Sequence, residues 1–373
     1  MQRVFSRATH AAYKHAAKPI MFKFSPDSVH RNLVRVARVA QRVAPVRGLL
    51  AGMWRYKSPI LTQTIHGQVF PNPVGLSAGF DKNAELAPLM ERVGFGFVTC
   101  GSITGYQCDG NARPWFHRLP KEQSIVVNAG LPNMGSRAVA KRLANDALAK
   151  RRKVPMMLSV ARTNTPASST DQQAIADYVL GLKNLRKHAD MFEINISCPN
   201  TYGGEPFTTP QRLNKLLVAI DALALHQPVF IKMPSNLPWH DCSKLLEVIV
   251  RHNVQGVTVS NLRKDRQGVV VDANVKGNLS GKPTKALSDQ LIAKTYSKYG
   301  DTLTIIGVGG IFTAEDAYNK IKNGASLVAL ITGLIYEGPQ ITGQINRELE
   351  QLLKADGYTH ISQAIGANHT LHD

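Results

Sequence analysis

Acidic residues are almost missing from the first 80 positions, where Asp27 stands alone against twelve lysines and arginines. That imbalance disfavours a basic partner for the segment and points to an anionic one, either lipid headgroups or nucleic acid. The four cysteines, Cys100, Cys108, Cys198 and Cys242, form no Cys-x-x-Cys pair. This excludes a zinc ribbon or a disulfide scaffold, suits a reducing compartment and leaves no metal site to expect. No apolar run approaches the ~18 residues of a membrane span, so nothing in the sequence crosses a bilayer. Aromatic residues make up only 7% and do not interleave with the basic ones. With no recognition motif either, no nucleic acid is expected as partner, and a membrane surface is favoured. What is present is ample apolar material, 43% of 373 residues, enough for one large barrel domain or two ordinary ones.

Residues 1–24 are basic and end in the apolar group Ile20, Met21, Phe22 and Phe24. They lack a secretory core, which leaves a targeting presequence open. Ser25-Pro26-Asp27 reads as a helix start, with serine at the cap and proline in the first turn. Behind it Val29, Leu33, Val36, Ala40 and Val43 share one helical face, and Arg31, Arg35, Arg38 and Arg42 fall on the opposite one. Such a helix can lie in a membrane interface, with its apolar stripe in the acyl boundary and its arginines on phosphates. The blander alternative is a surface helix packed on the domain. Pro45 to Pro59, with Gly48 and Gly52, reads as a linker, and Thr64 to Phe70 as a small hairpin flooring a barrel. The expected division is a basic helical extension over 1–58 and a barrel over 59–373.

From residue 72 onward short apolar runs alternate with helical patterns. Strands are expected at Val74–Phe80, Phe97–Gly101, Met156–Ala161, Met191–Asn195, Val229–Lys232, Gly256–Ser260, Thr304–Val308 and Ser326–Ile331. Eight strands apolar on both faces, with helices between, predict an α/β fold, a (β/α)8 TIM barrel carrying a small N-terminal helical extension. The long stretch between the second and third strands reads as a lid.

The strand ends are polar where a core would not tolerate it. Asn195-Ile196-Ser197-Cys198-Pro199-Asn200-Thr201 places a thiol among carboxamides and hydroxyls at the catalytic face of such a barrel. Cys198 is then a general base or nucleophile with Asn195 and Asn200 gripping a substrate, or else an inert cysteine in a capped turn. Lys82 follows Ala78-Gly79-Phe80-Asp81, and its bland reading is a loop lysine paired with Asp81. Lys232 ends a buried strand, where its charge is costly unless an anion or electron-rich ligand receives it. Gly101-Ser102 and Ser260-Asn261 close two further strands. Gly309-Gly310 and Thr332-Gly333, at the ends of the seventh and eighth strands, suggest a phosphate site, with Ser280-Gly281 in a third small-residue loop.

Together NPVGLSAGFDKN (72–83), GFGFVTCGSIT (94–104), NARPWFHRLP (111–120), NISCPNT (195–201), GNLSGKP (277–283), IIGVGGI (305–311) and GASLVALITGLIYEGP (324–339) resemble the dihydroorotate dehydrogenases. The resemblance runs in order from about residue 20 to 352. It implies a (β/α)8 barrel that holds FMN and oxidises dihydroorotate to orotate in pyrimidine synthesis. It places FMN against Ala78, Gly79, Gly101, Ser102, Lys232, Ser260, Ser280, Gly281, Gly309, Gly310, Thr332 and Gly333. It gives the substrate to Lys82, Leu131, Asn195, Asn200 and Asn261, and the C5 proton to Cys198.

The basic extension and AGFDKN resemble the membrane-associated, quinone-reducing class, in which His30 and Arg118 match positions of the quinone tunnel. The implied location is peripheral, on the cytoplasmic face of a bacterial inner membrane, or on the mitochondrial inner membrane in a eukaryote. Cys198 is instead the habit of the soluble classes, where that class has serine, and Leu131-Pro132-Asn133 also looks soluble-type. A soluble acceptor such as fumarate, another reduced pyrimidine as substrate, and a non-catalytic flavin barrel are the competing readings. Val127 stands where relatives have asparagine, so either Asn128 serves one place late or a substrate contact is missing. Ala161, Leu262, Ile331 and Asn278 are further departures. Nothing in the sequence specifies an oligomeric state.

Overall fold

A computed structural model describes residues 2–369, with side chains from Phe5 onward. Strands β1 (Gln63–Ile65) and β2 (Gln68–Phe70) form the expected antiparallel hairpin. The chain then enters β3 (Val74–Leu76) and β4 (Phe97–Thr104), followed by a two-stranded excursion, β5 (Phe116–Leu119) and β6 (Ser124–Val127). It continues through β7 (Met156–Ala161), β8 (Met191–Asn195), β9 (Val229–Lys232) and β10 (Gly256–Val259). After β11 (Asn278–Leu279) come β12 (Thr304–Val308) and β13 (Leu327–Leu330). Eight of these, β3, β4, β7, β8, β9, β10, β12 and β13, close a parallel barrel. All eight expected strands are therefore present, and in the expected order.

The barrel floor is built by side-chain alternation. Phe97, Met157, Met191, Phe230, Ile306 and Leu327 point inward and are fully buried under Phe70, which the hairpin inserts edge-on against Phe97. Each such side chain contributes about 1.5–3 kcal/mol by leaving water. Gly75 and Gly256 make room for the phenylalanines: a Cβ at either would lie 2.2 Å from Phe97 or 2.4 Å from Phe230. Two residues further along β7, β8 and β9 the same inward face carries Ser159, Glu193 and Lys232. An apolar floor thus gives way to a polar layer, because the strand period is two.

The stretch read as a lid is structured. β5 and β6 pair with β11 in a three-stranded antiparallel sheet at the barrel mouth, and helices Ser136–Asn145 and Ala147–Lys150 follow. The N-terminal segment is helical: α1 (Gln2–Ala12), a π-helical turn at Tyr13–Ala17, α2 (Lys18–Phe22) and α3 (Pro26–Ala40). Ser25 caps α3 by accepting from the Ser28 N–H, as its position predicts.

The expected linker at Pro45–Pro59 is corrected by α4 (Ala44–Trp54). Pro45 sits in its first turn, where a missing N–H costs nothing, and a Cβ added at Gly48 or Gly52 would meet nothing within 4 Å. The extension is pinned to the barrel by Asp27. Its carboxylate is 3.2 Å from Arg113 and accepts from the Trp115 and Phe116 N–H groups.

Candidate active site

One cavity at the carboxyl ends of the barrel strands gathers nearly every residue singled out from the sequence. Its lining includes Ala78, Gly79, Lys82, Gly101, Ser102, Leu131, Asn195, Cys198 and Asn200. It also includes Lys232, Ser260, Asn261, Ser280, Gly281, Gly309, Gly310, Thr332 and Gly333. His30 and Arg118 line the same cavity on the side of α3. The strand ends converge because parallel strands deliver their following loops to one face.

Asn128 is the exception, and the expected substrate contact there is corrected. Along β6 Ile125 and Val127 line the cavity, while Val126 packs beneath the small sheet with Leu119 and Leu279. Asn128 follows the end of β6 and is not among the lining residues, and its carboxamide oxygen accepts from Asn111 at 3.1 Å. Val127 itself lines the cavity.

The carboxamides are held by one another and by hydroxyls. Asn195 donates to Ser102 Oγ at 2.9 Å, and Ser102 meets Ser159 Oγ at 2.8 Å. Asn261 donates to the Ser197 carbonyl at 2.7 Å and lies 3.3 Å from Asn195 Oδ1. Asn200 donates to the Val127 carbonyl at 2.8 Å and accepts from Asn278 at 2.6 Å. Asn278, one of the departures, thus orients Asn200 from β11.

The loop after Cys198 is tied down further by Arg162, which is buried and donates to the carbonyls of Tyr202 and Gly204. Asn164 Oδ1 accepts the Tyr202 N–H at 2.5 Å. Neither Arg162 nor Asn164 was found from sequence. Their only signal is that they directly follow an apolar strand, as Lys82 and Asn261 do.

The charges are unevenly satisfied. Asp81 does not pair with Lys82. Its carboxylate accepts from the Glu85 and Leu86 N–H groups at 2.7 Å each and lies 3.5 Å from the Cys100 thiol. Lys82 donates instead to the Gly79 carbonyl at 2.9 Å and reaches His30 Nε2 at 3.3 Å, above the Phe116 ring. Burial brings the Lys82 ammonium down to about 8. Burial and the Lys82 charge bring His30 down to about 3, so its ring is a neutral acceptor at physiological pH. Burial pushes the Cys198 thiol up to about 11, against the opposing pull of the Asn200 N–H and the Lys232 charge.

The donor set fits a phosphate-bearing, ring-shaped cofactor. Gly281 and Gly310 lie at φ of +77° and +69°, and a Cβ would strike the Gln123 carbonyl oxygen at 2.3 Å or Lys285 at 2.5 Å. Only glycine keeps those turns open at the ends of the last strands. Lys232 is buried at the cavity with no hydrogen bond from Nζ to the protein among the described residues. Ala161, buried and outside the lining, offers no polar group, whereas Leu262 and Ile331 add apolar surface to the wall.

A closed (β/α)8 barrel with its polar residues and glycine turns collected at this face defines the class: an enzyme barrel with its site at the mouth. Residues 60–353 match the family described as dihydroorotate dehydrogenase, and the chain belongs to that family. It is 35% identical over 353 residues to the dihydroorotate dehydrogenase (quinone) of Gloeobacter violaceus, covering 94% of this chain and 97% of that one. The protein of the same name from Deinococcus deserti is 34% identical over 369 residues, covering 95% and 99%. Among solved structures, DHODH from Eimeria tenella in complex with ferulenol superposes with a TM-score of 0.82 at 27% identity. That match covers 92% of this chain and 96% of that one.

Proposed function

We propose that this chain oxidises dihydroorotate to orotate in pyrimidine synthesis and passes the electrons to a quinone, with FMN as the carrier between them. One observation supports this above the rest: a single cavity is lined by Cys198, Asn195, Lys82 and Lys232 and also by His30 and Arg118 of the extension side. The residues offered to the electron donor and those on the acceptor side thus line one cavity, around one cofactor position. Bound there, FMN would supply a hydride acceptor, with its phosphate at Gly309, Gly310, Thr332 and Gly333. Lys82 offers a cation for the substrate carboxylate, while Asn195, Asn200 and Asn261 offer donors and acceptors to the ring amides. Cys198 as thiolate would take the C5 proton.

The test is sequential. Anaerobic dihydroorotate should bleach the bound flavin, and a short-chain ubiquinone should restore its colour. Bleaching without quinone reoxidation, or none at all, would reject the reading.

A peripheral place at an anionic membrane surface has its own support. Among the described residues no helix is long and apolar enough to cross a membrane. In α3 the barrel-facing side is formed by Asp27, His30, Val34 and Ala37; of the apolar stripe, Val29 lines the cavity and Ala40 is half-buried, whereas Leu33, Val36 and Val43 point outward. Leu33 is 46% exposed and Val36 65%, with Val43 beyond the helix end at 44%. Ile20, Phe24 and Leu49 are exposed as well. Vesicles containing phosphatidylserine should therefore sediment the protein, less so as salt rises. The pair Leu33→Glu and Val36→Glu should abolish sedimentation while flavin stays bound. Unchanged sedimentation of that double variant would remove α3 as the anchor.

A further inference from the structure

We propose that Glu193 is a positioning residue for Lys232, a fixed counter-charge beneath the cavity that sets how readily the bound flavin takes up electrons. The proposal rests on the FMN reading above. Glu193 belongs to the polar layer just above the barrel floor. It is 2% exposed, and its Oε1 accepts no hydrogen bond. In the parallel pairing of β8 with β9 it stands opposite Phe230, two residues before Lys232 on the same inward face. Oε1 lies 3.8 Å from Lys232 Nζ. Thr258, opposite Lys232 on β10, also has an unpartnered hydroxyl.

A buried ion pair is poor value for stability, since desolvating two charges offsets much of their attraction, and apolar residues would fill the space as well. The floor just below, formed by Met157, Met191 and Phe230, shows that apolar residues are available to this barrel. The separation is informative. At 3.8 Å without a hydrogen bond, the carboxylate neutralises the ammonium but does not take up its protons. Lys232 therefore keeps its donors for whatever sits above it. Glu193 lies outside the cavity lining and acts only through charge and through the place it gives the lysine.

Reduction puts negative charge into the flavin ring. A carboxylate below Lys232 weakens the cation's help and holds the potential down. Glu193→Gln keeps the shape and deletes the charge, so the two-electron midpoint of the bound flavin should rise. A tenfold change in the preference for reduced over oxidised flavin corresponds to about 30 mV, and a rise of at least that size is expected.

The measurement is a redox titration of the holoprotein against a reference dye, which requires neither dihydroorotate nor quinone. A midpoint unchanged within about 5 mV, or one that falls, overturns the proposal. Should the glutamine variant not yield a folded flavoprotein, Glu193→Asp draws the charge back by one methylene. It should then give a smaller rise of the same sign, and no rise overturns the proposal equally. Wild-type protein that takes up no FMN would defeat the cofactor reading, and this inference with it. Flavin bound with an unshifted midpoint defeats this inference alone.

Discussion

Replacing Cys198 by alanine is expected to slow reduction of the bound flavin by dihydroorotate by about 10²–10⁴-fold, the contribution of a positioned general base. Flavin content and orotate binding should change little, because the loop that carries Cys198 does not depend on its thiol. The loop is held by Arg162, Asn164 and the Asn200–Asn278 pair instead. Stopped-flow absorbance under anaerobic conditions reads the step directly. A variant that reduces at the wild-type rate would remove Cys198 from proton transfer.

The pH profile adds a second check on the same residue. Burial pushes its thiol up to about 11, so across neutral pH the thiolate is the minor form and grows about tenfold per unit. Lys82, brought down to about 8, stays charged below that pH and loses charge tenfold per unit above it. The two trends multiply in kcat/KM. It should climb steeply from pH 6 to about 8 and then level, as gain of thiolate and loss of ammonium cancel. A profile already flat at pH 6 would mean that the free enzyme does not need the thiolate.

The barrel was legible because its signals are local. Each strand is a short apolar run, several end in or run into polar or glycine residues, and a parallel barrel places all such ends together. Lys232 was recognisable from burial cost alone, and the resemblance assigned it a ligand. The errors have equally physical origins. Gly48 and Gly52 read as breakers, yet α4 forms around them on a proline-led first turn. Asn128 was one of two readings for the substrate contact, yet it follows the end of β6 and its carboxamide oxygen is taken by Asn111. Glu193 follows the same period-two rule as Asn195 and was legible, but it sits inside its strand, where no polar strand end marks it. Arg162, Asn164 and Asn278 were not legible as a set. They meet the Cys198 loop from β7 and β11, and only the closed barrel brings those segments together.

Lys82 carries the other large effect. A loop lysine beside an aspartate invites the reading of a surface ion pair, and the structure excludes it by giving the Asp81 carboxylate to two backbone N–H groups. The neighbours that Lys82 does have, the Gly79 carbonyl and a neutral His30, position its ammonium without cancelling its charge. A half-buried cation held in this way is ready for a carboxylate. Truncating one partner of such a pair costs about 2–5 kcal/mol, or about 30- to 4,000-fold in affinity.

Lys82→Ala should therefore weaken orotate binding within that range, as read from the perturbed flavin spectrum. Uracil, which has the same ring without the carboxylate, should bind the variant and the wild type alike. That contrast separates loss of a charge contact from collapse of the cavity. Equal weakening of both ligands would mean that Lys82 supports the wall, whereas unchanged orotate binding would place the carboxylate elsewhere. His30→Ala, which leaves the ammonium in place with one neighbour fewer, should weaken orotate less than Lys82→Ala does.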